Sequence, residues 1–366
     1  MFEDRIARVL DEGRRQQVDA LLIMPGANLL YTFSYKGKLS ERIHLGIITL
    51  RGDRVLFLPE LERTGAQDSS PGADVYTYRD EDGPSGALQG LLEELGLRGK
   101  RIAVEYGVMR LLEYRLLQEA LKDFDTVDAG PIFASVRAKK DQAELDAMRD
   151  AIRMAEQALG RVLPQVRAGR REMEIAALLE MEMRQLGSEG TPFGTIVASG
   201  WRGALPHGRA SDKAIESGEL VVLDFGAIYR GYVADITRTV SVGPVPDAEL
   251  RRAYRVLQAA QTRAREGIAP SLTAGEVDAL ARDLIDQEGF GLYFTHRTGH
   301  GLGLDDHEEP YIMRGSNVKL QPGMTFTVEP GIYLPGKGGI RIEDDMVVTE
   351  QGAESLTSYP RNLLEE

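Results

Sequence analysis

Residues 220–242, LVVLDFGAIYRGYVADITRTVSV, place two aspartates inside a run of β-branched and aromatic residues. Such a composition predicts two strands, the second over residues 232–242, on either side of a short turn. With a two-residue turn at 229–230, Asp224 faces Asp235 across the hairpin, and both side chains lie on one face of the sheet. Two carboxylates in that position repel each other unless a cation lies between them. This stretch therefore predicts a hairpin that binds metal.

The stretch at residues 325–349, TFTVEPGIYLPGKGGIRIEDDMVVT, repeats the arrangement with two glutamates. A turn centred on Gly336 puts Glu329 opposite Glu343 in the predicted hairpin. Arg341 shares their face because it lies two residues before Glu343, and the isoleucines on either side of it point toward a core. The sequence thus predicts a second carboxylate pair with an arginine beside it.

The segment between the hairpins, HRTGHGLGLDDHEEP at residues 296–310, holds three of the five histidines of the chain. An isolated acid usually lies on the solvated surface, and an isolated histidine is more often structural than catalytic. Acids embedded in apolar β runs are less often solvated surface residues, because a buried charge must be paired or bind a metal. We therefore predict a metal site built from five side chains: Asp224, Asp235, His300, Glu329 and Glu343.

These motifs resemble those of the proline-specific metallopeptidases of the pita-bread fold, namely proline dipeptidase (prolidase) and Xaa-Pro aminopeptidase, with methionine aminopeptidase as a more distant relative. The matching motifs are the Asp224–Asp235 spacing with DITRTV, then HRTGHGLGLDDHEEP, GMTFTVEPGIY and GGIRIEDD. The resemblance is detailed over residues 135–366 and less specific before them. It implies an α/β (α+β) chain in which a creatinase-type N-terminal α/β domain, residues 1–130, precedes a pita-bread catalytic domain, residues 131–366.

The same resemblance implies how the donors share two divalent metal ions. Asp224 binds one ion, His300 and Glu329 bind the other, and Asp235 and Glu343 bridge both. An oxygen-rich set with one imidazole favours Mn²⁺, with Co²⁺ or Zn²⁺ as alternatives. Two ions about 3.5–4 Å apart activate a shared water for attack on the carbonyl before proline. The resemblance makes Glu329 the candidate general base.

The resemblance also implies catalytic and substrate-binding roles for three further histidines. On sequence alone His207, in the polar stretch ALPHG, is predicted to lie on the surface, but the family places a histidine of this motif near the substrate. His296 and His307 are expected to stabilise the oxyanion or to orient the scissile group. The alternative is that they support His300.

Tyr333 and Arg341 are expected to form the wall of the pocket for the proline ring. Arg341 suits the free carboxylate of a dipeptide, because a guanidinium binds a carboxylate through two parallel hydrogen bonds. The alternative is an ion pair with a neighbouring acid, Glu343 or Asp344. Both arrangements are compatible with the sequence.

The composition limits the partners and the compartment. A net charge of −13 disfavours nucleic acid, and no apolar run approaches the roughly 20 residues needed to span a membrane. The charged start MFEDRIARVLDEGRRQQ shows no secretory signal, and the absence of cysteine excludes disulfides and thiolate metal sites. These features fit a cytoplasmic protein. The resemblance adds Xaa-Pro dipeptides or short peptides as substrates and a homodimer as the assembly.

The order of predicted elements shows two similar halves after the N-terminal domain. Residues 1–130 alternate helices and strands, and their one histidine, His44, is predicted to be structural or exposed. Further along, capping-box pairs predict helices that begin near Asp141 and Thr273. The order helix, helix, strands occurs twice, once before each carboxylate hairpin.

We therefore expect a cytoplasmic Xaa-Pro dipeptidase with a dinuclear metal site. An Xaa-Pro aminopeptidase acting on longer peptides is the nearest alternative, and the room beyond the proline separates the two. A methionine aminopeptidase is disfavoured, because that enzyme does not require a domain such as residues 1–130. A metal-free pita-bread protein, acting as a binding module or as a creatine-type amidinohydrolase, is disfavoured because all five ligand positions are filled.

Overall fold

The computed structural model describes residues 2–362 and residue 365 of the chain. The chain divides into two compact units, Met1–Arg137 and Ala138–Glu366. Across the described residues, no helix combines the length and the apolar character that a membrane crossing requires.

The boundary between the units falls later than the position near Gly130 that the sequence predicted. Gly130 and Pro131 begin a helix that ends at Arg137, and proline is tolerated there because the first turn of a helix has N–H groups without internal partners. This helix packs against the first helix of the chain, Phe2–Arg15. The first unit therefore keeps the helix, and the second unit begins at Ala138.

The first unit is built around a six-stranded sheet of mixed direction. Its helices are α1 (Phe2–Arg15), α2 (Ala27–Phe33), α3 (Arg63–Ser69), α4 (Ser85–Glu94), α5 (Leu111–Leu121) and α6 (Gly130–Arg137), with a 3-10 turn at Glu60–Glu62. Its strands are β1 (Ala20–Ile23), β2 (Leu45–Thr49), β3 (Arg54–Pro59), β4 (Asp74–Tyr78), β5 (Arg101–Val104) and β6 (Asp125–Asp128). The spatial order is β4-β3-β2-β1-β5-β6, and β2 runs antiparallel to both of its neighbours. Leucines of α4 and α5 pack on the apolar strands and close a core of this unit.

In its described residues, the second unit has four long helices and several short antiparallel sheets. Its helices are α7 (Gln142–Val162), α8 (Glu172–Gln185), α9 (Ala248–Gly267) and α10 (Ala274–Gln287), with 3-10 turns at Leu163–Gln165, Gly200–Ala204 and Gly291–Tyr293. Its strands are β7 (Ile196–Ser199), β8 (Leu220–Phe225), β9 (Ile228–Tyr229), β10 (Tyr232–Val233), β11 (Ile236–Ser241), β12 (Gly299–Gly301), β13 (Glu308–Ile312), β14 (Thr325–Val328), β15 (Gly331–Leu334), β16 (Gly338–Arg341), β17 (Asp344–Val348) and β18 (Ala353–Ser355). The larger sheets have the orders β11-β8-β7 and β13-β12-β14-β17-β18.

The predicted repeat of helix, helix and strands is confirmed in the second unit. The pair α7 and α8 packs its apolar stripe on β7, β8 and β11. The pair α9 and α10 packs in the same way on β14, β15, β16 and β17. Capping boxes at Asp141 and Thr273 begin α7 and α10, as predicted. Each half therefore backs one carboxylate hairpin with its own helix pair.

The first hairpin departs from the predicted register. Its turn is Arg230-Gly231, and these residues have φ values of 51° and 79°. Glycine adopts this conformation without strain, and a turn of two left-handed residues matches the twist of the flanking strands. Because the turn lies one residue later than predicted, the pairing shifts by two. Asp224 therefore faces Thr237, and the expectation that it faces Asp235 is wrong.

Asp235 nevertheless lies on the same face of the hairpin as Asp224. The pairing of Phe225 with Ile236, continued by one residue, puts Gly226 opposite Asp235. A Cβ added at Gly226 would lie 1.9 Å from the carbonyl oxygen of Ala234 on the other side of the hairpin. The predicted second strand is interrupted at this point, between β10 and β11. The two aspartates are diagonal neighbours, a placement with a typical spacing of about 7–8 Å. This spacing leaves room for an ion between the carboxylates.

The second hairpin has the predicted register. The ladders on both sides, β14 with β17 and β15 with β16, share the register of a turn centred on Gly336, whose φ is 77°. Between the ladders, this register puts Glu329 opposite Glu343. Arg341 lies on the same face, and the isoleucines on either side of it are fully buried in the core. The second carboxylate pair thus faces away from the core, as expected.

Candidate active site

A cavity of about 680 Å³ in the second unit is lined by every side chain for which the sequence predicted a role. Strands and loops that are far apart in the sequence supply these side chains. The predicted metal ligands among them are Asp224, Asp235, His300, Glu329 and Glu343. The predicted catalytic and substrate-binding residues among them are His207, His296, His307, Tyr333 and Arg341.

The candidate metal donors lie within and at the ends of strands that face the cavity. His300 lies in β12, and its Nε2 is 3.2 Å from Glu329 Oε1 and 3.8 Å from Asp235 Oδ2. One ligand atom from each of Asp235, His300 and Glu343 lies within 4.8 Å of the other two. Donor atoms this close suit a shared cation.

Three carboxylates of this group each have one buried oxygen to which no described residue donates a hydrogen bond. Among the described residues, Asp224 Oδ1, Asp235 Oδ1 and Glu343 Oε1 are buried without a hydrogen-bond donor. Burial, together with the charges of Glu343 and Asp224, raises the pKa of Asp235 well above its usual range. Burial, together with the charges of Glu329 and Asp224, does the same to the pKa of Glu343. Divalent cations would compensate these oxygens, so the residues present fit a metal centre.

His300 is oriented so that one ring nitrogen is available to a cation. Its Nδ1 donates to the carbonyl oxygen of Gly301 at 3.1 Å, and this bond directs Nε2 at the carboxylates of Asp235 and Glu329. The ring of His307 stacks on the ring of His300 with centroids 3.9 Å apart. This stack restrains the imidazole, which is the supporting role that the sequence analysis left open for His307.

Glu329 behaves differently from the other buried carboxylates. Burial raises its pKa, but the hydrogen bond and the electrostatic contribution from His300 outweigh burial and lower the pKa of Glu329 to about 2. Glu329 is therefore ionised at neutral pH. The site combines one carboxylate that is readily ionised with two, Asp235 and Glu343, that resist ionisation without a cation.

A chain of hydrogen bonds connects Arg341 to His296 along the cavity wall. Arg341 Nη1 donates to the Tyr333 hydroxyl at 2.8 Å, and this hydroxyl lies 2.8 Å from His296 Nε2. His296 Nδ1 lies 2.7 Å from the carbonyl oxygen of Arg297, so Nδ1 carries the proton and Nε2 accepts from Tyr333. Burial lowers the pKa of His296 and raises the pKa of Tyr333 to about 12. Both groups are therefore neutral near pH 7, as this chain requires.

Arg341 is largely engaged by the protein itself. Its Nη2 donates to Asp224 Oδ2 at 2.5 Å, and its Nη1 donates to the carbonyl oxygen of Pro206 at 3.1 Å. Its ionic partner is thus Asp224 and neither of the adjacent acids considered from the sequence, Glu343 and Asp344. With a bond from Nε to a threonine hydroxyl of β11 and the bond to the tyrosine, four of its five N–H groups are committed.

Thr237 and Asp345, which were not predicted from the sequence, hold the predicted ligands Glu343 and Asp235. Thr237 Oγ1 donates to Glu343 Oε2 at 2.5 Å. Asp345 Oδ2 accepts from the backbone N–H of Asp235 at 3.1 Å. Each lies two residues after a predicted ligand in the sequence, so the alternation of side chains along a strand is the signal that could have identified it.

The rest of the cavity wall combines apolar surface with two further cations. Phe193 and Ile196 line it, and the sequence carried no signal that singled them out. Arg209 and Arg297 also line it, and the guanidinium of Arg297 lies 4.4 Å from the ring centre of Tyr311. The cavity therefore offers apolar contact and positive charge beside the metal donors.

Comparison with known proteins agrees with this geometry. The family model described as "Metallopeptidase family M24" matches residues 146–350, and the one described as "Creatinase/Prolidase N-terminal domain" matches residues 5–139. An Xaa-Pro dipeptidase of Pyrococcus furiosus is 38% identical over 362 residues, which are 99% of each chain. A solved prolidase structure from Thermococcus sibiricus has a TM-score of 0.95 at 32% identity and covers 100% of this chain and 99% of that one. A solved X-Pro aminopeptidase from Thermotoga maritima has a TM-score of 0.87 at 36% identity and covers 98% of both chains.

These findings confirm the family resemblance and the fold class predicted from the motifs. The chain is a mixed α/β protein in which a creatinase-type N-terminal domain precedes a pita-bread catalytic domain. The cavity of metal donors lies wholly within the stretch matched by the peptidase model. Since that model spans more than half of the sequence, the chain belongs to metallopeptidase family M24.

Proposed function

We propose that this peptidase is a metal-dependent Xaa-Pro dipeptidase, which hydrolyses the peptide bond before a C-terminal proline. The observation that carries the proposal is a five-residue donor set beside Tyr333 and Arg341, in a chain that is similar over its whole length to an Xaa-Pro dipeptidase. The proposed substrates are Xaa-Pro dipeptides, and short peptides that begin with Xaa-Pro are the substrates of the alternative considered below.

Five residues would hold two divalent cations: Asp224, Asp235, His300, Glu329 and Glu343. When bound, the cations supply a Lewis acid for the carbonyl oxygen and lower the pKa of a water so that it is reactive near neutral pH. We propose Mn²⁺ as the metal because four of the five donors are carboxylates, with Co²⁺ and Zn²⁺ as the alternatives. Elemental analysis of the purified protein tests this assignment.

Glu329 is the proposed acceptor of the proton from the attacking water. Its carboxylate is ionised, as a general base requires.

The remaining cavity residues bind and orient the substrate in this proposal. His207 is exposed on the wall, and its ring has no hydrogen-bond partner in the described part of the chain, so it is available to the scissile group. His296 already accepts from Tyr333, so we assign it to holding that tyrosine instead of donating to an oxyanion. Tyr333 and Arg341 form the wall for the proline ring. Arg297 is less committed than Arg341 and is our candidate for the free carboxylate.

An Xaa-Pro aminopeptidase is the second candidate, because the solved X-Pro aminopeptidase of Thermotoga maritima is 36% identical over nearly the whole chain. The test is hydrolysis of Ala-Pro and of Ala-Pro-Ala with added Mn²⁺ and with chelator, and Ala-Ala serves as the control substrate. We expect cleavage of Ala-Pro alone, stopped by chelator. Efficient cleavage of Ala-Pro-Ala would instead establish an aminopeptidase with an open leaving-group side.

Metal analysis separates both peptidases from a metal-free member of the fold. Bound divalent metal and metal-dependent cleavage support the proposal, whereas their joint absence would remove it. The homodimer and the cytoplasmic location stay predictions of the family resemblance. Light scattering during size exclusion tests the first, and fractionation of cells tests the second.

A further inference from the structure

A buried glutamate organises the loop that carries His207, which we call the histidine loop (residues 200–210). Glu172 is the first residue of α8, and its side chain is 0% exposed. Its Oε1 accepts from the backbone N–H of Ser199 at 2.7 Å and from the Ser199 hydroxyl at 2.9 Å. Its Oε2 accepts from the backbone N–H of Ser211 at 3.1 Å and from the Ser211 hydroxyl at 2.6 Å. One carboxylate thus joins the two ends of the loop.

The same carboxylate also reaches into the loop. Arg202 Nε donates to Glu172 Oε2 at 2.9 Å, and Arg202 Nη2 donates to the carbonyl oxygen of Arg209 at 2.6 Å. The buried charge of Glu172 is therefore balanced by a cation of the loop itself. A carboxylate suits this position because it offers acceptor sites on both oxygens, whereas an amide would direct an NH₂ group at donors.

The histidine loop forms part of the cavity wall. Pro206, His207 and Arg209 line the cavity. The loop rests on the second hairpin so closely that a Cβ added at Gly339 would lie 1.9 Å from the carbonyl oxygen of Gly203. The loop is thus held at its base by Glu172 and along its side by the hairpin that carries Arg341. Arg341 in turn binds both Pro206 and Asp224.

We propose that Glu172 is a positioning residue for His207. Closing the base of the histidine loop sets the distance between His207 and the metal donors. The inference rests on the proposed function, since it assigns His207 to the substrate. Glu172 does not touch the substrate in this proposal and acts only through the loop.

The histidine loop contains its own spectroscopic probe. Trp201 is the single tryptophan of the chain, and it is 53% exposed beside Arg202. Glu172→Gln should loosen the loop, shift the Trp201 emission to longer wavelength and increase its quenching by acrylamide. Metal content should stay unchanged, while kcat/KM for Ala-Pro should fall roughly 10- to 100-fold, as small misplacements of orienting groups do. Glu172→Asp keeps both carboxylate oxygens and should recover part of each effect.

A matched control separates loop positioning from general loss of stability. Glu113 is also a fully buried glutamate in the first turn of a helix, and it binds Arg110. Glu113→Gln should lower the melting temperature without changing Trp201 quenching or kcat/KM. If Glu172→Gln does not fold, Ser211→Ala is the milder variant and should show the same changes at smaller size.

A double-mutant cycle tests whether Glu172 acts through His207. In a His207→Ala background, Glu172→Gln should lower kcat/KM by less than about 3-fold, because the group that it positions is already missing. An equal loss with and without His207 would overturn the proposal, as would unchanged Trp201 quenching in Glu172→Gln. Should the wild-type protein cleave no Xaa-Pro substrate, the proposed function fails by itself. The quenching of Trp201 then still tests whether Glu172 fixes the histidine loop, because the quenching measurement does not require turnover.

Discussion

Binding of a divalent cation to the five-donor site should release protons, and the number released should fall as the pH rises. In the metal-free protein, burial and neighbouring carboxylates raise the pKa of Asp235 and of Glu343. Each therefore keeps its proton at pH values where an exposed carboxyl group is ionised. Because a cation binds the ionised forms, binding displaces up to one proton from each residue. For each proton displaced, the apparent metal affinity should rise about 10-fold per pH unit.

The same pKa shifts determine how pH affects the stability of the metal-free protein. The pKa values of Asp235 and Glu343 in the folded state lie above their unfolded-state values of about 4. The folded state therefore binds more protons than the unfolded state. This contribution to stability is fully present below about pH 4 and is lost as the pH rises through the raised pKa values. Added metal should consequently increase the melting temperature more at about pH 8 than at about pH 5.

Calorimetric titration of Mn²⁺ into chelator-treated protein measures the released protons directly. The heat is compared in two buffers of different ionisation enthalpy, between about pH 5 and pH 8. Glu343→Gln is the control, because glutamine carries no displaceable proton and should reduce the release by up to one. Heats that do not depend on the buffer at any pH would show that both acids are already ionised, and the argument from burial would be wrong.

Three substitutions test other parts of the site. Glu343→Ala should abolish Ala-Pro cleavage and lower the bound metal, because it deletes a ligand; full activity with unchanged metal would refute the assignment. Gly331→Ala should displace Tyr333, because the new Cβ would lie 2.4 Å from the Tyr333 hydroxyl, and should lower kcat/KM roughly 10-fold. Unchanged steady-state kinetics would show that the position of the tyrosine does not matter. Arg238→Met should lower the free energy of unfolding by about 3–5 kcal/mol, since it removes the buried cation 2.8 Å from Asp344; a loss below about 1 kcal/mol in urea unfolding would contradict this.

The two hairpins show which part of the fold the sequence could predict. In the second hairpin, Gly336 lies at the centre of the turn, and both flanking ladders follow the register that it predicts. In the first hairpin, the chain offers Tyr229, Arg230 and Gly231 for a two-residue turn. The conformational freedom of Gly231 favours the later position, and this preference shifts the whole ladder by two residues. Asp224 and Asp235 still line the cavity together, because a shift of two keeps each side chain on its face.

The residues that hold the cavity side chains in place also fall into two groups, those that a local sequence pattern indicates and those that it does not. Thr237 and Asp345 lie two positions after predicted ligands on the same strand segments, so the alternation of strand side chains could have identified them, although they were not predicted. Arg341 and Asp224 are 117 positions apart, and their ion pair forms only because the two hairpins face each other across the cavity. No local pattern encodes such a contact.

Glu172 shows why a buried support on a helix is harder to predict than a ligand on a strand. At the start of α8 it has the sequence features of an ordinary acidic residue in a first turn, which interacts favourably with the helix dipole. Its carboxylate instead turns to Ser199 and Ser211, which lie 27 and 39 positions away. Only the packing of α8 beside the histidine loop converts a common helix-start residue into a clamp. A substitution there should therefore perturb the cavity far more than its sequence context would indicate.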